Sequence, residues 1–165
     1  MQLRFQEKQM NQMLGLFLPP GEQYLAMVWA GIEAGWKALA KTAGFSEALK
    51  QWLGKDFDPE EIADGSLGSF GNDYAYLGLT EKRFVVVAVK SLNVSEMHLA
   101  FDIPHDQITA VKITKSLVPG KRHIKIWLGQ YPIKFSITNN SIGSDFKHQK
   151  ENQAAILQFV NGLNK

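Results

Sequence analysis

The stretch YAYLGLTEKRFVVVAVKSLNVSEMHLAFDIPHDQI, residues 74–108, decides the fold. Tyr74, Tyr76 and Gly78 alternate with Ala75, Leu77 and Leu79, the two-residue period of a short strand. Residues 80–83 are polar and fit a tight reversal. Residues 84–89 are then almost continuously apolar and β-branched, so both faces of this segment need cover and it belongs inside a sandwich or barrel. Residues 96–101 read as a third strand. Ile103-Pro104 ends it, because proline cannot donate to the ladder and restricts the residue before it. A further strand opens at Gln107.

Two pieces of this stretch carry a resemblance. Leu79, Thr80, Lys82, Arg83 and Phe84 fit an aliphatic-Leu-Thr-x-Lys-Arg-aromatic hairpin, and Ile103, Pro104 and Ile108 fit an Ile-Pro-x-x-x-Ile corner. Together they resemble the bacterial pleckstrin-homology-like domains and, more loosely, GRAM domains. The resemblance covers roughly residues 74–165, and the step PPGEQYLAMVWAG is similar to the Pro-Gly-Glu start of that family's first strand. It implies a mainly β fold: a bent antiparallel sandwich of seven strands, with a C-terminal helix plugging one open end. The matched residues mark turns and core positions, not a catalytic site.

Downstream, residues 107–115, 123–129 and 131–138 read as strands, with Ile124, Ile126, Leu128, Ile133, Phe135 and Ile137 facing inward. Ile156, Phe159, Val160 and Leu163 form one apolar stripe at helical spacing, on a final helix expected to start near Asp145 or Phe146. Upstream, residues 22–31 read as the first strand. Residues 1–20 read as an N-terminal amphipathic helix, with Phe5, Met10, Met13, Leu14, Phe17 and Leu18 largely on one side and Pro19-Pro20-Gly21 stopping it. This apolar side packs either on the domain or on a neighbouring subunit. The domain proper is expected over 21–165.

The family pattern is broken between the first two strands. Residues 32–70 read as a helical insert, with Glu33, Lys37 and Lys41 recurring every four residues around Trp36. A second short helix carries Trp52, and Asp58-Pro59-Glu60-Glu61 starts a third. The insert either covers a face of the sheet or forms a subunit interface, and Phe17, Trp36 and Trp52 are the candidate interface residues.

At 165 residues the chain suits one domain with a real core, and 45% apolar with 21% charged residues argues against disorder. The absence of cysteine removes disulfides and thiolate chemistry, and fits a reducing compartment. The first twelve residues have no apolar signal core, and no uncharged apolar window of about 18 residues occurs, so a cytoplasmic protein is expected. His98, His105, His123 and His148 have no metal-ligand spacing, and the acids around Asp58 lack a calcium-loop pattern. No phosphate loop or nucleophile elbow is present, so neither an enzyme nor a cofactor is expected.

Net charge is +2 and unevenly placed. Residues 1–73 carry 6 Lys and Arg against 10 acids, and residues 74–165 carry 12 against 6. The two parts complement each other, or the basic part meets an anionic partner. Lys112, Lys115, Lys121, Arg122 and Lys125 flank an expected hairpin tip carrying Leu117 and Val118. Basic flanks around an apolar tip suit a membrane headgroup layer or another anionic partner. Nucleic acid is not expected, because these residues are not interleaved with a stacking platform. Phosphoinositide-binding relatives place their basic residues around the first strand pair, where this chain has the long, partly acidic insert. The sequence therefore points to a non-catalytic protein-interaction or self-assembly domain forming homo-oligomers. The alternative is a peripheral membrane or anionic-ligand module that uses the hairpin over 112–125.

Overall fold

The computed structural model of the chain describes residues 5–34, 74–90, 93–139 and 144–163. Seven strands form one antiparallel sheet: β1 (Ala26–Ala34), β2 (Tyr74–Leu79), β3 (Arg83–Lys90), β4 (Asn93–Pro104), β5 (Ala110–Lys115), β6 (Lys121–Leu128) and β7 (Tyr131–Thr138). Their spatial order is β4-β3-β2-β1-β7-β6-β5. A helix α1 (Glu7–Leu16) precedes the sheet, and a helix α2 (Gln149–Leu163) follows it and packs against β1, β5 and β7. This is the pleckstrin-homology-like arrangement that the motifs imply. The helical insert expected over 32–70 lies outside the described residues, except that residues 32–34 belong to β1.

Register explains the apolar run of β3. Phe84, Val86 and Ala88 pair with Leu79, Leu77 and Ala75, while Val85, Val87 and Val89 pair with Gly78, Tyr76 and Tyr74. Directly paired residues share a face, and alternate residues change face. The first set lies in the sandwich interior with Ile124, Ile126, Ile133, Ile156 and Val160. The second set lies on the outer face, against which α1 packs with Met10, Leu14 and Phe17 buried. All six residues 84–89 are buried as a result. The cover on the second face comes from the N-terminal helix. Phe17 is only 5% exposed, inside this chain's own core, so its ring is not a surface for a partner.

Several boundaries move for identifiable reasons. The first strand starts at Ala26 instead of Glu22, because Glu22 and Tyr24 are engaged elsewhere. The Tyr24 ring lies so close to Gly78 that a Cβ there would come within 2.3 Å of it, and its hydroxyl donates to the Leu14 carbonyl at the end of α1. Burial raises the Tyr24 pKa. Phe5 is not helical. It forms a bridge with Ser144 and stacks on Trp29 at 4.6 Å. Asp145 accepts from the Glu7 backbone N–H at 2.7 Å, so its carboxylate caps α1 and α2 starts only at Gln149.

The residues carrying the family resemblance converge on one cluster. Thr80 donates to Glu22 Oε1 at 2.7 Å and accepts from the Lys82 and Arg83 backbone N–H groups, both at 3.1 Å. Arg83 holds the Glu22 carboxylate through two nitrogens, Nε at 3.1 Å and Nη2 at 2.9 Å. The His105 backbone N–H donates to the Lys82 carbonyl at 2.9 Å. Its Nε2 lies 2.9 Å from the Thr80 carbonyl. A carbonyl only accepts, so the proton sits on Nε2. The hairpin and corner are therefore interlocked: the segment before β1, the β2–β3 turn and the residue that follows β4 hold one another.

Candidate functional site

The basic hairpin is β5–β6, joined by a short loop at residues 116–120. Its tip is firmly braced. Ser116 N–H and Lys121 carbonyl pair at 3.2 Å, the Lys121 N–H reaches the Val118 carbonyl at 3.2 Å, and Ser116 Oγ accepts from the Val118 N–H at 3.1 Å. Gly120 adopts a positive φ of 79°, and a Cβ there would meet Asn139 Oδ1 at 2.0 Å. The Gly120 carbonyl accepts from the Asn139 N–H and from Gln153 Nε2 on α2, both at 2.9 Å. Held this way, Leu117 is fully exposed, at 104%, and Val118 is half exposed, at 52%.

The five basic residues expected here do not share one surface. Lys112 pairs with Lys125, and Lys115 with Arg122. Lys121, Lys112 and Lys125 lie on the outer face of the sheet by alternation, whereas Lys115 and Arg122 lie on the opposite face, beyond the end of the core. Arg122 Nη1 donates to the Lys121 carbonyl at 3.2 Å. The structure thus brings together two smaller groups around one tip. Trp36 and Trp52 lie outside the described residues.

A further cation joins the outer face. Lys134 on β7 is directly opposite Lys125, giving the cross-strand row Lys112–Lys125–Lys134. Lys125 Nζ lies 4.9 Å from the centre of the Trp127 ring. Glu33, reaching in from β1, contacts His123 Nδ1 at 2.8 Å and Lys134 Nζ at 3.6 Å. Sequence spacing could not find Lys134, because the pairing of β7 with β6 is what sets it beside Lys125. One signal was nonetheless present: residues 107–144 contain no acid at all.

Among the described residues no group of three metal-binding side chains comes together, and no helix is long and apolar enough to cross a membrane.

No family model and no curated protein matches this chain. Solved structures do resemble it. The C-terminal domain of an unknown protein from Leishmania infantum is 14% identical, with 92% of this chain and 90% of that one covered and a TM-score of 0.42. A DUF1696 family protein with a pleckstrin-homology domain from Shewanella loihica PV-4 is 13% identical, with 66% and 95% covered and a TM-score of 0.37. The hSac2 domain of the human phosphoinositide phosphatase Sac2 is 13% identical, with 94% and 80% covered and a TM-score of 0.45. The fold assignment rests on strand order and register, not on these likenesses.

Proposed function

We propose that this chain is a non-catalytic recognition module that docks on anionic membrane surfaces through the tip of β5–β6. The observation that carries this reading is Leu117, fully exposed on a braced loop and flanked by Lys115, Lys121 and Arg122. A mobile tip would fold its leucine away. A braced one keeps it available for the acyl boundary while the cations meet the headgroups. Each of the three cations contributes about 1 kcal/mol near an anionic surface. Leu117 adds roughly another 1–2 kcal/mol on burial. The sum, about 4–5 kcal/mol, corresponds to a reversible contact near the millimolar scale, one that several copies or a second contact would strengthen. The self-assembly reading loses the support of Phe17, which is buried, and its other two residues lie outside the described ones.

Flotation with vesicles of phosphatidylcholine alone or mixed with phosphatidylserine tests the proposal. Binding is expected only to the anionic vesicles, weaker at physiological salt than at low salt, and reduced by Leu117→Ser and by Lys121→Glu/Arg122→Glu. Absence of binding at low salt, or binding indifferent to both variants, would overturn it.

A further inference from the structure

We propose that His105 is an acid-sensitive latch: while its ring is neutral, the C-terminal half of α2 stays closed on the corner between β4 and β5, and a proton on the ring releases it. The inference goes beyond the membrane reading and uses none of the tip residues Lys115, Leu117, Lys121 and Arg122. Three rings meet at this corner. His105 lies 5.1 Å from Phe84 on β3 and 4.5 Å from Phe159 on α2, and the two phenylalanines are 6.3 Å apart. The imidazole is tethered on one side. The His105 backbone N–H donates to the Lys82 carbonyl and Nε2 donates to the Thr80 carbonyl, each at 2.9 Å. Its second nitrogen, Nδ1, is buried without a hydrogen-bond partner. In the neutral ring that nitrogen carries only a lone pair. Protonation places there an N–H that has no acceptor, and a charge removed from water, and both are costly.

Burial has the largest influence on the ring and favours its neutral form. The charges around it are mixed. Arg83 on β3 opposes a proton, whereas Asp106 in the same turn and Glu22 ahead of β1 favour one. Glu22 is already engaged by Arg83 and Thr80. The titratable residues of α2, Lys150 and Glu151, stand in its first turn, about 12 Å or more along the helix from Phe159. Residues 107–109, leading into β5, have no ionisable side chain. The two halves of α2 are held differently. Gln149 and Gln153 tie the first half to the carbonyls of Trp29, Thr138, Gly120 and Ile137. The second half meets the core through Ile156, Phe159, Val160 and Leu163, all apolar. With the imidazole tethered, the second half is the part that yields when Nδ1 needs water.

Amide exchange of the full chain by NMR, with each rate compared to its intrinsic value at that pH, tests the latch. The open form takes up a proton near the ordinary 6.5 and the closed form resists. Protection of residues 159–163 is expected to fall by up to about tenfold between roughly pH 7.5 and 5.5. Added urea should change it little, as for an opening that exposes little surface. Amides of β6 that exchange only by global unfolding should keep a steep urea dependence. The nitrogen shifts of the His105 ring should show the proton on Nε2 at neutral pH, and His105→Gln should remove the pH effect at 159–163. Protection there that ignores pH, or that is lost only together with β6 and with the same urea dependence, overturns the latch. So does a neutral ring protonated on Nδ1, a result that needs no variant to fold. Flotation of the Leu117 and Lys121/Arg122 variants reads the membrane contact alone, so the two readings stand or fall separately.

Discussion

Glu22 and Arg83 are 61 positions apart in the chain and meet through two short contacts. The Glu22 side chain is 7% exposed and that of Arg83 27%, so the pair is largely shielded from water. Removing one partner strands the other charge. Arg83→Ala is therefore expected to destabilise the fold by about 2 kcal/mol, a partly buried pair falling below the full cost of a buried one. Glu81→Ala, at an exposed position of the same turn, should cost almost nothing. Urea denaturation of the two variants makes the comparison.

His105 belongs to the same cluster and adds a pH dependence. Burial lowers its pKa from the ordinary 6.5. Nearby Arg83 lowers it further, while the Thr80 carbonyl, Asp106 and Glu22 push the other way. Its ring also meets Phe84 and Phe159, at 5.1 and 4.5 Å between centres. The unfolded imidazole takes up a proton near 6.5 while the folded one resists. Stability is therefore complete above that pH and declines as pH falls below it, until the folded ring itself titrates. His105→Gln keeps a donor for the Thr80 carbonyl and removes the titration. Urea midpoints between about pH 6.5 and 5 should fall less steeply in that variant than in the wild type.

Among the elements, α2 shows what periodicity can and cannot deliver. The stripe Ile156, Phe159, Val160 and Leu163 does face the core. The helix is also held by two buried glutamines that an apolar stripe does not reveal. Gln149 Nε2 donates to the Trp29 and Thr138 carbonyls at 3.0 Å each. Gln153 Nε2 donates to the Gly120 and Ile137 carbonyls at 2.9 and 2.7 Å. Gln153→Met keeps the volume and loses both bonds, so it is expected to cost about 2 kcal/mol. Amide exchange should quicken around Asn139 and in the tip at 116–120, because the variant frees the Gly120 carbonyl from the helix. The strands were legible because alternation and turn residues report directly on burial. The start of β1 and the N-terminal ends of both helices were not, since Glu22, Tyr24 and Asp145 answer to partners far away in sequence.

At the scale of the molecule, the two halves of the sheet finish their outer faces differently. Over β1–β3 that face is apolar and covered by α1 with Phe5 and Phe17. Tyr76 is buried there, and its pKa is pushed up to about 12 by burial. Over β5–β7 the face is basic, and Ala110, Lys112 and Thr114 are exposed. The basic second part of the sequence thus presents a basic face, with Lys134 added to it by register. The N-terminal helix reads from sequence as a separable element, but its side chains share one core with the strands. A chain beginning at residue 21 would uncover Val85, Val87 and Val89, each worth about 2 kcal/mol of burial. It is expected to aggregate and to bind a hydrophobic dye, checked by light scattering and dye fluorescence against the full chain.

The bridge between Phe5 and Ser144, together with the Asp145 cap on α1, has a consequence for biosynthesis. These contacts join positions 139 and 138 residues apart, so the first helix emerges long before the residue that satisfies its amino end. Such long-range closure is slow, because the entropy of a large loop is lost before the contact rewards it. During translation the valines of β3 are made well ahead of Asp145. A nascent chain therefore passes through a stage in which its first helix can lie on β2 and β3 without yet being locked there. Chaperone engagement during that interval, ending when residue 145 clears the ribosome, is the natural accompaniment of this topology.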